Sequence, residues 1–151
     1  MLWSDACVAL FSTINHVHME VSMADDRESV ITANQAFYRA FEKKDMGAME
    51  SIWSKGIGCL CIHPGRDALK GWEAISQSWR QIFKHTSYLE IDTDILSTEV
   101  SGNLAYVVLV EHVLQIGGDR KRLEAKSMAT NIFERMAQNW YLVHHHGSPI
   151  V

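Results

Sequence analysis

Glu111 interrupts the apolar run Tyr106 to Val110 in a stretch that carries no other acid. A lone carboxylate withdrawn from water must meet a partner or take up a proton. Two readings follow: a pocket acid or base with a raised pKa, or a strand-end group reaching water where Glu111 and His112 mark a rim. His63 stands before Pro64 at the close of the stretch Ile57 to Ile62, and a neutral imidazole moves a proton near physiological pH without a large shift. A His-Pro pair also closes a strand as a plain turn. His63 and Glu111 are the candidate proton-transfer residues.

His144, His145 and His146 run consecutively near the end of the chain. Strand alternation puts His144 and His146 on the face shared with Trp140 and Leu142, and turns His145 the other way. Two histidines at i and i+2 can chelate a divalent metal, with His63 or Glu111 completing the set. Hydrogen-bonded histidines at a sheet end or a dimer interface account for the run equally well, and no metal is assigned. Asn131 offers donor and acceptor together and suits an orienting role. Trp72 and Trp79 are seven apart on one helical face, which describes core or, if they line a cavity, a wall for a flat apolar or aromatic ligand.

These residues need elements to hold them. Asp25 to Glu28 forms a helix start, with an acid three residues after an Asp, and Val30, Ala33, Phe37, Ala40 and Phe41 follow at helical spacing toward an end near Lys44. A second helix carries Met46, Met49, Ile52 and Trp53 and stops at Lys55-Gly56. Ile57 to Ile62 reads as a strand, and a third helix follows Gly71. Leu89 to Ile95 alternates apolar with acidic, as in a strand with one wet face. Ala105 to Ile116 and Leu123 to Met136 are long strands joined at Gly117-Gly118-Asp119, and Trp140 to His146 is the last. Helices followed by four consecutive strands predict an α+β domain with an antiparallel meander covered on one face by the helices. Because the strand from Ala105 is apolar on both sides, its second face, carrying Val108, Val110, His112 and Leu114, calls for cover by a second copy of the sheet.

The 151 residues suit one domain. Residues 1–24 lack the later periodicity and are read as an extension, helical or poorly ordered, or as an over-called start given Met19 and Met23; the pocket domain is 25–151. Net charge is −4, and the one cationic cluster, Arg120 to Arg122, sits beside a turn, so nucleic acid is not an expected partner. The apolar run Ala6 to Phe11 is too short for a bilayer and follows Asp5 rather than a basic segment, so neither membrane nor export is expected. Three cysteines, with Cys59 and Cys61 two apart on a strand and poorly placed to pair, read as buried thiols of a cytoplasmic protein.

The order of elements, with Ala36-Phe37, Asp45, Ile62-His63-Pro64-Gly65, Gly71-Trp72-Glu73-Ala74-Ile75, Thr130 to Arg135 and Trp140 to Pro149, resembles the SnoaL-like branch of the nuclear-transport-factor-2-like superfamily over residues 28 to 150. The resemblance implies three helices on a strongly curved, mainly antiparallel sheet around a cone-shaped pocket, the cystatin-like fold. It places His63 where ketosteroid isomerase has its proton-shuttling aspartate. Phe37 falls where that enzyme has a hydrogen-bonding tyrosine, and Tyr38 is about 100° away on the helix, so the isomerase's donor is expected to be missing. In the association domain of calcium/calmodulin-dependent kinase, pocket arginines align with Glu111 and Asn131, which implies that both face inward here without the positive charge. The expected function is cofactor-independent isomerase, lyase or cyclase chemistry on a small apolar or aromatic molecule, or else a non-catalytic binding or dimerisation module of the same fold. The pocket is expected to gather His63, Glu111, Trp72, Trp79, Asn131 and one of His144 or His146.

Overall fold

The computed structural model describes residues 25–151; the expectations for 1–24 lie outside the described residues. The first helix, α1, is described over 25–42, and its apolar stripe buries Val30, Phe37 and Ala40. It ends in a turn through Lys44, whose φ of 54° is left-handed. The Lys44 ammonium donates to the carbonyls of Thr86 and Ser87 at 2.9 and 3.1 Å, tying the end of this helix to the start of the meander. Asp45 caps the next helix, α2 (Met46–Ile52), by accepting from the Ala48 N–H at 3.0 Å. That helix stops earlier than Lys55-Gly56: Trp53 turns extended, which buries its ring and bridges its backbone to Leu142.

Strand β1 (Leu60–Ile62) is shorter than the stretch from Ile57 suggested, and a two-residue strand β2 (Leu69–Lys70), with no periodicity to announce it, pairs beside it. Gly71, at φ 82°, swings the chain into α3 (Trp72–His85). Four long strands then run β3 (Thr86–Ser101), β4 (Leu104–Gly117), β5 (Arg122–Met136) and β6 (Asn139–Pro149). The sheet order is β2-β1-β6-β5-β4-β3, antiparallel throughout except where β1 lies parallel to β6. The three helices pack on one face of this mixed, curved, six-stranded sheet, the α+β layering expected from the order of elements.

Alternation along β4 turns Ala105, Val107, Leu109 and Glu111 inward, opposite Phe133, Asn131, Ala129 and Ser127 of β5, and all eight are buried. The outer face carries Tyr106, Val108 and Val110 beside Ile132, Thr130 and Met128. Between β5 and β6 the register shifts: Ile132 pairs with His144 while Phe133 pairs with Leu142, leaving Val143 as an extra residue. None of the described helices is long and apolar enough to cross a membrane.

Candidate functional site

A cavity of about 750 Å³ opens between α3, the His63-Pro64 turn and the inner faces of β4, β5 and β6. Its apolar wall comes from Phe41, Leu69, Ile82, Val113, Leu123 and Ala125; its polar groups include His63, Ser78, Glu111, Ser127 and His145, with Arg66 and Asp67 also on its lining. Such a balance suits a small apolar body with one polar group.

Glu111 is 3% exposed and accepts at Oε1 from the Tyr38 hydroxyl at 2.6 Å. Burial pushes its carboxyl above the usual range, and the Tyr38 hydrogen bond works the other way. Among the described residues no hydrogen bond reaches Oε2. Tyr38 is itself raised well above its ordinary value, by burial first and then by the Glu111 charge. Asn131 donates to Asn34 Oδ1 at 2.8 Å and to the Tyr38 oxygen at 3.1 Å, and its carbonyl lies 2.6 Å from His145 Nδ1. His145 Nε2 stands 4.0 Å from Glu111 Oε1. Burial, then the charges of His63, His144 and His146, lowers His145 to about 3, so the contact joins neutral imidazole to carboxyl rather than an ion pair.

His63 is held at Nε2 by Ser78 Oγ at 2.9 Å, with Cys61 Sγ at 3.8 Å, and its ring meets the edge of Trp79 at 4.9 Å. Burial and then the Arg66 charge lower it to about 4. Gly147 permits this turn to close: a Cβ there would stand 2.9 Å from Pro64 Cγ and 3.7 Å from Glu111 Oε2. Cys59 and Cys61 are buried and unpaired, and burial, followed by the Glu111 charge, pushes Cys61 up to about 12, which leaves it a poor nucleophile.

His63 and Glu111 therefore line one cavity, and Asn131 sits behind Glu111, fully buried. His144 and His146 do not line it. The extra residue at Val143 reverses the alternation expected from Leu142, so that His145 turns inward and the other two face out, their ring centroids 6.3 Å apart. This also separates them from His63 and Glu111, so that ligand set does not assemble; among the described residues no group of three or more His, Cys, Asp or Glu is placed to hold a metal. The tryptophan wall is likewise corrected. Trp79 is wholly buried among Phe37, Phe41, Phe83 and His63, and Trp72 packs against Trp53 with the Lys55 ammonium over its ring. The cavity takes the adjacent stripe of α3, Ser78, Gln81 and Ile82.

Among the described residues no tyrosine hydroxyl lines the cavity, but one lies behind it. Phe37 fills the core, but the 100° step that separates Tyr38 from it aims Tyr38 at Glu111 and Asn131. Sequence reasoning missed Asn34, Tyr38, Ser78 and His145. Asn34 and Tyr38 did leave a signal, two polar side chains at i and i+4 on a helix that must bury that flank.

The SnoaL-like domain model matches residues 30–151. F-box protein SKIP8 of Arabidopsis thaliana is 24% identical over 120 residues, 80% of this chain; the chain spans about half, 49%, of that relative's length. A proposed dehydratase of the NTF2-like family from Streptomyces avermitilis is 31% identical, with a TM-score of 0.78 over 85% of this chain and 98% of its own. A proposed calcium/calmodulin-dependent protein kinase type II association domain from Thiobacillus denitrificans is 28% identical, with a TM-score of 0.70 over 79% of this chain and 93% of its own.

Proposed function

The chain belongs to the SnoaL-like domain family, and from that premise we propose that its pocket domain, residues 25–151, moves a proton on a small apolar or aromatic molecule without a cofactor, as an isomerase, lyase or cyclase does. One observation carries the reading: the Glu111 carboxyl, pushed toward its protonated form, opens with neutral His63 and His145 onto a single cavity. A protonated carboxyl can give a proton and a neutral imidazole can take one, which is the pairing that acid–base chemistry requires. The similar Streptomyces avermitilis protein is described as a proposed dehydratase, and dehydration in general combines removal of one proton with donation of another. We infer a cytoplasmic setting, in which Cys59 and Cys61 would remain thiols.

A second reading has its own support. His63 Nε2 is already engaged by Ser78, which costs a base its readiness, and the similarity to a kinase association domain supports a binding or dimerisation module. Mass spectrometry of small molecules released from the purified protein identifies a ligand, which is then incubated with the protein in D₂O. Deuterium entering the ligand, and failing to enter with Glu111→Gln or His63→Gln, supports proton transfer. A ligand retained by the protein without exchange overturns it in favour of the module.

A further inference from the structure

We propose that Asn34, through Asn131 and with Tyr38, is a positioning residue that locks His145 in the tautomer with its proton on Nδ1, so that the Nε2 lone pair is what the cavity meets. The inference rests on the reading of the cavity as the reacting site, yet follows from a count of hydrogens. Tyr38 has one hydroxyl hydrogen, directed at Glu111 Oε1. Its oxygen must therefore accept from Asn131, whose Nδ2 is 3.1 Å away. The other amide hydrogen of Asn131 goes to Asn34 Oδ1 at 2.8 Å.

With both amide hydrogens spent on α1, Asn131 presents its carbonyl oxygen to β6, and a carbonyl oxygen only accepts. His145 Nδ1, 2.6 Å from that oxygen, is then the N–H. The ring is fully enclosed, with Phe37 at 5.1 Å and Trp79 at 6.4 Å between centroids, an environment that favours one proton over two. Nε2 is left as an acceptor beside Glu111. Asn34 is the anchor of this order: it is 1% exposed within a helix, a place where asparagine is a poor former, and Asn131 has no second acceptor of that kind on α1 among the described residues. Consequently His145 presents a lone pair at Nε2 and has no proton to offer there, which leaves donation to Glu111.

The test reads the ring and not the activity. Long-range proton–nitrogen NMR of the full chain labelled at histidine, with His145 assigned by comparison with His145→Gln, is expected to show a protonated Nδ1 and a bare Nε2 at pH 7. Asn34→Leu removes the acceptor, lets the Asn131 amide turn over, and should give mixed or reversed tautomers, whereas Asn34→Asp keeps an acceptor there and should restore the wild-type pattern. A merely structural asparagine would shift the melting temperature and leave the ring pattern alone. Wild-type His145 with its proton on Nε2 overturns the proposal even if Asn34→Leu does not fold, as does an unchanged pattern in a folded Asn34→Leu. The wild-type pattern without deuterium exchange in any ligand sinks the proton-transfer reading and supports this one.

Discussion

Tyr38 on α1 and Glu111 on β4, 73 residues apart, are joined by a buried hydrogen bond of 2.6 Å. The bond fixes one carboxyl oxygen against the helix. Tyr38→Phe removes a donor that favours the charged carboxylate, so the pKa of Glu111 should rise further in the variant. It also strands the Asn131 amide hydrogen, so stability should fall by about 1–3 kcal/mol. Carboxyl titration by isotope-edited infrared spectroscopy and urea unfolding check the two halves; a lower pKa in the variant would contradict the geometry.

Glu111→Gln keeps the acceptor for Tyr38 and removes the charge. Because burial raises Glu111, the stability tied to its protonated form is fully present below the ordinary value of 4.5 and is lost as pH rises through the higher folded-state value. The glutamine variant has no such loss. Its stability relative to wild type should therefore grow between pH 5 and pH 8, while any turnover disappears. Unfolding measured at both pH values decides it, and a margin that shrinks with pH would refute the assignment.

The two lowered histidines act with the opposite sign. The stability linked to neutral His63 and His145 is fully present above about 6.5 and is lost as pH falls toward about 4 for the first and about 3 for the second. The unfolded chain then binds the protons, at roughly 1 kcal/mol per pH unit for each group. His63→Gln should flatten the acid limb by one such group in urea titrations between pH 6.5 and 4.5. A limb of unchanged steepness would show that His63 is not the buried neutral ring described.

The fold was legible because periodicity reports which face is buried, and the long runs of β4 and β5 leave little choice of period or partner. Glu111 was legible for the same reason, as a charge on an inward position. The histidines were not: one extra residue at Val143 inverts everything after it, and a bulge depends on how β5 and β6 meet. The role of Tyr38 was not legible because its partners, Glu111 and Asn131, lie 73 or more residues away on strands whose approach to α1 the helix spacing does not report. The tryptophans were misassigned since a stripe at seven-residue spacing tells that α3 buries a face without telling which side of it the cavity occupies.

Gly147→Ala tests the closure of the site. The new Cβ would stand 2.9 Å from Pro64 Cγ and 3.1 Å from its Cδ, inside contact distance for a ring that cannot rotate away. The turn carrying His63 must shift, at a cost of about 1–3 kcal/mol, typical of overpacking. The His63 ring signals should move. An alanine variant as stable as wild type, with unmoved His63 signals, would show that the turn is free to yield.

The outer face of the sheet predicts the state of assembly. Tyr106, Val108 and Val110 of β4 lie opposite Ile132, Thr130 and Met128 of β5, so a broad, largely apolar strip faces away from the helices with nothing of the described chain on it. His112, on the same face one step beyond Val110, lies 3.3 Å from Asp94. A second copy placed sheet to sheet would bury matching strips, since a two-fold axis sets each patch against itself. Sedimentation at micromolar concentration should give twice the 17.1 kDa of the chain. Val110→Glu places a charge at the centre of that contact without touching the cavity face. It should yield a folded monomer whose circular dichroism matches wild type. A wild-type monomer, or a Val110→Glu variant that remains dimeric, would move the interface elsewhere and leave the strip without a role.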